Sequence, residues 1–176
     1  MTKQYELEAF WRPMLTAYSE GRTAQPPYMG LESWCFEQLY YSAFPRQNSV
    51  NSAIHQNSNR LTYQLLFSQR EDERQQLIEL LIAYGRQDCW YLTEAVHVVA
   101  STCLGPSHLW SDLGLPSRQV LGEMISFYFP ELHQLNQNNM RWKRFFYRQL
   151  CQQGGDYICR APSCGECSSY SECFGD

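Results

Sequence analysis

The sequence predicts an all-α protein, a small helical bundle that ends in an irregular cysteine-rich loop. Apolar residues recur at three- and four-residue spacing through most of the chain. Glycine and proline stand where those periodic stretches stop. A short β-like run at Val96-His97-Val98-Val99 has no partner strand to pair with. The expected organisation is an N-terminal helical segment over residues 1–70, a helical core over 71–152 and a cysteine-rich, cluster-binding tail over 153–176.

Taken in order, Leu7, Phe10, Trp11, Met14 and Tyr18 share one helical face, with Pro13 predicting a kink or a helix start inside that segment. Residues 21–30, with Pro26-Pro27, read as a loop. A second helix is expected from Leu31, with Trp34, Cys35 and Leu39 inward, ending at Phe44-Pro45. Residues 47–60 are polar and biased, a surface loop or irregular helix carrying a solvated His55. A helix over residues 72–84 follows an acidic first turn, Glu71-Asp72-Glu73, which suits the helix dipole, and presents Leu77, Ile78, Leu80, Leu81 and Ile82.

Residues 91–104 read as a buried helix, with Cys89 and Cys103 as inert core thiols and His97 at the core boundary. Gly105-Pro106 breaks the chain before a loop or short turn over residues 107–116. Ser117 is the expected N-cap of a helix with Val120, Leu121, Met124, Ile125 and Tyr128 inward, stopped at Phe129-Pro130. A short helical piece over residues 131–135 leads to the polar stretch 136–139.

Aromatic residues make up 15% of the chain, enough to build the core from large rings. A net charge of −4 argues against a general nucleic-acid binder. The charged N-terminus lacks the apolar segment of an export signal, and no stretch is apolar over the length that spans a bilayer. The expectation is a cytoplasmic protein with neither nucleic acid nor membrane as partner, in a compartment where clustered cysteines bind metal more readily than they form disulfides.

Residues 141–148 carry four positive charges on a chain of net charge −4. At helical spacing Trp142, Phe145, Phe146 and Leu150 face the core, while Arg141, Arg144 and Arg148 share the opposite arc with Lys143 at its flank. Cys151 follows at the edge of that cationic face. Two readings fit: a solvated basic face, or a surface that handles an oxyanion, an anionic thiolate-bound cluster or an acidic partner.

Of eight cysteines, four lie in the tail: Cys159, Cys164, Cys167 and Cys173. Pro162 and Gly165 between them let a backbone wrap a bound centre. Zinc ribbons need two Cys-x-x-Cys knuckles, and Cys164 and Cys167 make only one. The opening Cys-x4-Cys-x2-Cys spacing favours an iron–sulfur cluster, with zinc as the alternative.

The tail, the basic aromatic stretch 140–151 and the run His108-Leu-Trp-Ser-Asp-Leu-Gly-Leu115 together resemble the NifQ family of nitrogen-fixation proteins, most strongly over residues 105–175. The resemblance implies a metallocluster carrier and no enzyme. Cys159, Cys164, Cys167 and Cys173 would hold a 3Fe-4S or 4Fe-4S cluster that takes up molybdenum as a Mo-Fe-S cluster. The molybdenum would then pass to the NifEN scaffold, acting with NifH, for iron–molybdenum cofactor biosynthesis. Arg141, Lys143, Arg144 and Arg148 become candidates to receive molybdate or a partner, and Arg160 to offset cluster charge. His108 and Cys151 are secondary metal-ligand candidates, each balanced by a structural reading: a turn-capping imidazole and a semi-buried thiol. The competing functions are an electron-transfer or redox-sensing iron–sulfur protein and a zinc-stapled interaction domain.

Overall fold

A computed structural model describes residues 2–46, 64–65 and 67–154. Among these residues the fold is all-α, as the periodicity predicts, with no strand. The polar stretch 47–60 with His55, the tail cysteines and Arg160 lie outside the described residues.

The first helix, α1, is continuous over residues 3–19: an α-helical turn at Lys3–Glu6, a π-helical turn at Leu7–Trp11 and an α-helical stretch at Arg12–Ser19. The helix therefore runs through Pro13 rather than starting at it. The wider turn lets the Arg12 amide reach back to the Leu7 carbonyl and puts Pro13 at the opening of the next α-helical stretch, where a missing N–H costs little. The predicted inward face is fully formed, with Phe10, Trp11, Met14 and Tyr18 all buried.

The next helix, α2 (Ser33–Ala43), buries Phe36, Leu39, Tyr40 and Ala43. Trp34 is 62% exposed, which corrects the expectation that it faces inward. The helix starts two residues later than read, and its buried stripe is Phe36, Leu39, Tyr40 and Ala43, which leaves Trp34 on the far side; the Phe36 and Tyr40 rings join those of Tyr18 and Phe44. The core then continues with α3 (Glu71–Ala83) and α4 (Leu92–Cys103), packed on each other. Leu77, Ile78, Leu80 and Leu81 are buried, but Ile82 is 54% exposed and belongs to the solvent face.

Beyond α4 come a short helix, α5 (Leu109–Asp112), where a loop or turn is expected, then α6 (Arg118–Tyr128), α7 (Pro130–Leu135) and α8 (Trp142–Gly154). Ser117 caps α6 as predicted, its hydroxyl accepting from the Val120 amide at 3.3 Å. The polar stretch 136–139 is a side-chain-built turn. The Asn136 side chain donates to the Met140 carbonyl at 2.9 Å and accepts from the Met140 amide at 2.8 Å, while Asn139 takes a left-handed φ of 49°. This turn aims α8 back across the bundle, where it packs on α3.

One buried carboxylate ties α1 to the rest. Glu6 is 1% exposed and accepts from the backbone amides of Trp90 and Tyr91, at 3.0 and 3.1 Å, and from the Tyr128 hydroxyl at 2.8 Å. Trp11 in turn donates its indole N–H to the same hydroxyl at 3.0 Å. Every lone pair so used satisfies a donor that burial would otherwise orphan. Burial and the adjacent Glu6 charge push the Tyr128 hydroxyl far above its ordinary range, so it stays a donor. Residues of all eight helices, α1 to α8, share one apolar core.

Candidate functional site

The described part of the site is built where α8 begins. Met140 and Trp142 are buried, and Phe145, Phe146 and Tyr147 continue the inward face, Tyr147 being one more core ring than the sequence pattern marks. Trp142 packs against Phe145 edge-on and lies over His133 in a stacked arrangement at 5.8 Å. That seating leaves Arg141 exposed and Arg144 and Arg148 half-buried on the other arc.

Lys143 has a different fate from its neighbours. Its ammonium donates to the Gly105 carbonyl at 2.8 Å and forms an ion pair with Asp112, whose carboxylate is 2% exposed and also accepts the Ser107 amide at 3.0 Å. Lys143 therefore pins α8 to the 105–112 loop, its charge already neutralised, instead of flanking the cationic face. Gly105 makes this possible by close approach: a Cβ there would sit 2.7 Å from an Asp112 carboxylate oxygen. Gly114, at φ +75°, closes the same segment onto α1, since a Cβ there would sit 2.4 Å from that of Ala17.

A second clamp lies one turn along α8. Arg70 holds Glu73 through two bonds of 2.6 Å, donates to the Leu104 carbonyl at 3.0 Å and reaches the Tyr147 hydroxyl at 3.1 Å. Charge-assisted bonds of this kind fix geometry as well as adding energy. Between the two clamps the Cys103 thiol is fully enclosed, and burial pushes it up to about 12. It remains a neutral core thiol, as does Cys89, which burial also raises.

Loop 105–110 and the start of α8 enclose a cleft of about 650 Å³. Arg141, Lys143, Arg144 and His108 all line it, so four of the sequence-predicted candidates converge although their segments are more than thirty residues apart. His108 is exposed at the N-cap of α5 but its imidazole makes no capping bond, which corrects the turn-capping reading. Arg148 and the half-buried Cys151 lie farther along α8 and do not line the cleft.

Arg118 completes the lining, and sequence reasoning missed it. Its guanidinium binds the carbonyl and side chain of Asn139, 21 residues away, a pairing no local pattern announces. Asp112 did carry a signal. It stands among Leu109, Leu113 and Leu115, so a buried carboxylate was due a cationic partner, and Lys143 is one of two lysines in the chain.

A larger depression of about 780 Å³ shares Arg118 and Trp142 with the cleft but includes none of the predicted site residues. Among the described residues no group of three or more His, Cys, Asp or Glu side chains could hold a metal ion. No helix among them is long and apolar enough to cross a membrane.

Comparison with known proteins extends beyond the described residues. The NifQ family model matches residues 10–175, a span that includes all four tail cysteines and begins inside α1. Protein NifQ of Azotobacter vinelandii is 39% identical over 161 residues, covering 89% of this chain and 82% of that protein. Protein NifQ of Klebsiella pneumoniae is 48% identical over 106 residues, 60% of this chain and 62% of its own length. Protein NifQ of Rhodobacter capsulatus is 46% identical over 77 residues, 44% of this chain and 43% of that one. No solved structure matches. Carried by a match that spans both the buried clamps and the cysteine tail, the chain belongs to the NifQ family of nitrogen-fixation proteins.

Proposed function

We propose that the protein is a cytoplasmic molybdenum carrier, and no enzyme, that loads molybdenum onto an iron–sulfur cluster and donates it for iron–molybdenum cofactor biosynthesis. The observation that supports this reading is the coincidence, within one family-matched span, of a four-thiolate tail and a cationic helix directly before it. Cys159, Cys164, Cys167 and Cys173 form an all-sulfur donor set within fifteen residues, which fits an iron–sulfur cluster of 3Fe-4S or 4Fe-4S type.

When bound, the cluster supplies soft sulfide ligands suited to reduced molybdenum. The protein's own residues do the rest. Three thiolates suffice for a three-iron cluster, leaving the fourth to take part in holding molybdenum as cargo. Arg160, next to Cys159, offsets the negative charge that thiolates and sulfides bring together. The Arg70 and Lys143 clamps hold α8 rigidly on the core, so the tail departs from a fixed point. Arg144 and Arg148 give that helix a cationic side for molybdate or for an acidic partner surface.

The partners expected are the NifEN scaffold acting with NifH. Mixing molybdenum-loaded protein with them should transfer molybdenum to the scaffold, read by metal analysis after the proteins are separated. Retention of all molybdenum while the iron cycles between redox states would favour the electron-transfer reading instead.

A further inference from the structure

We propose that the cleft between loop 105–110 and the start of α8 is an oxyanion site separate from the cysteine tail, built to take a small dianion. Its charge is the first reason. Arg118, Arg141 and Arg144 line it, and among the described residues no Asp or Glu does. The Asp112 carboxylate, held by the Ser107 amide of the same loop, is buried and paired with Lys143.

Arg141 is exposed and forms no ion pair among the described residues. Arg118 is held by the neutral acceptors of Asn139, which orient its fork without cancelling its charge. Guanidinium forks match oxyanions in geometry and keep their charge at any physiological pH.

The rest of the polar lining is the second reason. His108 and Ser107 are exposed, line the same cleft and add a ring nitrogen and a hydroxyl to it. The third is contrast, because a cationic cleft on a chain of net charge −4 is a local sink for anions and raises their capture rate. At about 650 Å³ the cleft is larger than one oxyanion, so the ion keeps part of its water shell and exchanges readily. Such a site suits intake rather than storage. That the physiological ion carries molybdenum rests on the proposed function; the oxyanion site itself does not.

The test is equilibrium dialysis of the full chain, as purified, against molybdate, sulfate and phosphate at low ionic strength. Saturable binding of one anion per chain is expected. It should weaken about tenfold in Arg141→Gln and be lost in Arg141→Gln combined with Arg118→Gln, with Arg141→Lys intermediate. Helical circular dichroism should stay unchanged in Arg141→Gln, because Arg141 is exposed. A full chain with all four tail cysteines changed to Ser should bind as well as the parent.

Absence of saturable binding for all three anions, or binding indifferent to Arg141→Gln, would overturn the site. So would binding lost with the cysteines but retained in the arginine variants. Equal binding of all three anions supports the oxyanion site while removing its link to molybdenum. A preference for molybdate supports both.

Discussion

Asp112→Ala should cost the protein about 3–5 kcal/mol of stability, the range for removing one partner of a buried ion pair. Asp112 is 2% exposed, and its carboxylate serves both the Lys143 ammonium and the Ser107 amide. Truncation leaves the partly buried Lys143 ammonium with the Gly105 carbonyl but no counter-charge, and takes the Ser107 amide's acceptor away. Chemical denaturation followed by helical circular dichroism would measure the loss as a shifted midpoint. The paired change Asp112→Leu with Lys143→Met should recover most of it, because two apolar side chains replace a desolvated pair. A single variant within about 0.5 kcal/mol of the parent would show that α8 is held without this pin.

Cys164→Ala and Cys167→Ala should each abolish iron–sulfur absorbance and most bound iron while leaving the helical signal intact. Cys164 and Cys167 form the tight Cys-x2-Cys pair, two residues between them, flanked by the outer ligands Cys159 and Cys173, so losing either one breaks the centre of the donor set. The helical core should persist because its apolar cluster and its clamps at Glu6, Asp112 and Arg70 involve residues well before the tail. Cys103→Ala is the contrasting variant: that thiol is buried and protonated, so its loss should leave the iron content alone. A cluster retained in Cys164→Ala or Cys167→Ala would remove the ligand assignment.

Helix positions were legible because burial at 3.6-residue spacing dominates this chain, as in α1, α4 and α6. Misreadings arose where one or two residues of register decide the outcome. Trp34 lies opposite the arc of Phe36 and Tyr40 in α2, and Ile82 falls just off the apolar arc of α3. Pro13 reads as a kink or a helix start because local rules do not foresee a π-helical turn ahead of it.

The cationic character of α8 was legible, but the division of labour within it was not. Lys143 and Arg144 are neighbours in sequence and both line the cleft, yet only Lys143 is paired with the buried Asp112 carboxylate. That distinction depends on where loop 105–112 folds back, a tertiary fact. The same folding brings His108 to Arg141, and Arg118 to both, from segments whose spacing carries no common motif.

The central claim is tested most directly by anaerobic purification of the full chain from cells grown with molybdate, followed by iron, acid-labile sulfide, molybdenum and zinc analysis. The account predicts iron with sulfide, and molybdenum bound in the same preparation. Stoichiometric zinc without sulfide, or iron and sulfide that never acquire molybdenum, would contradict it.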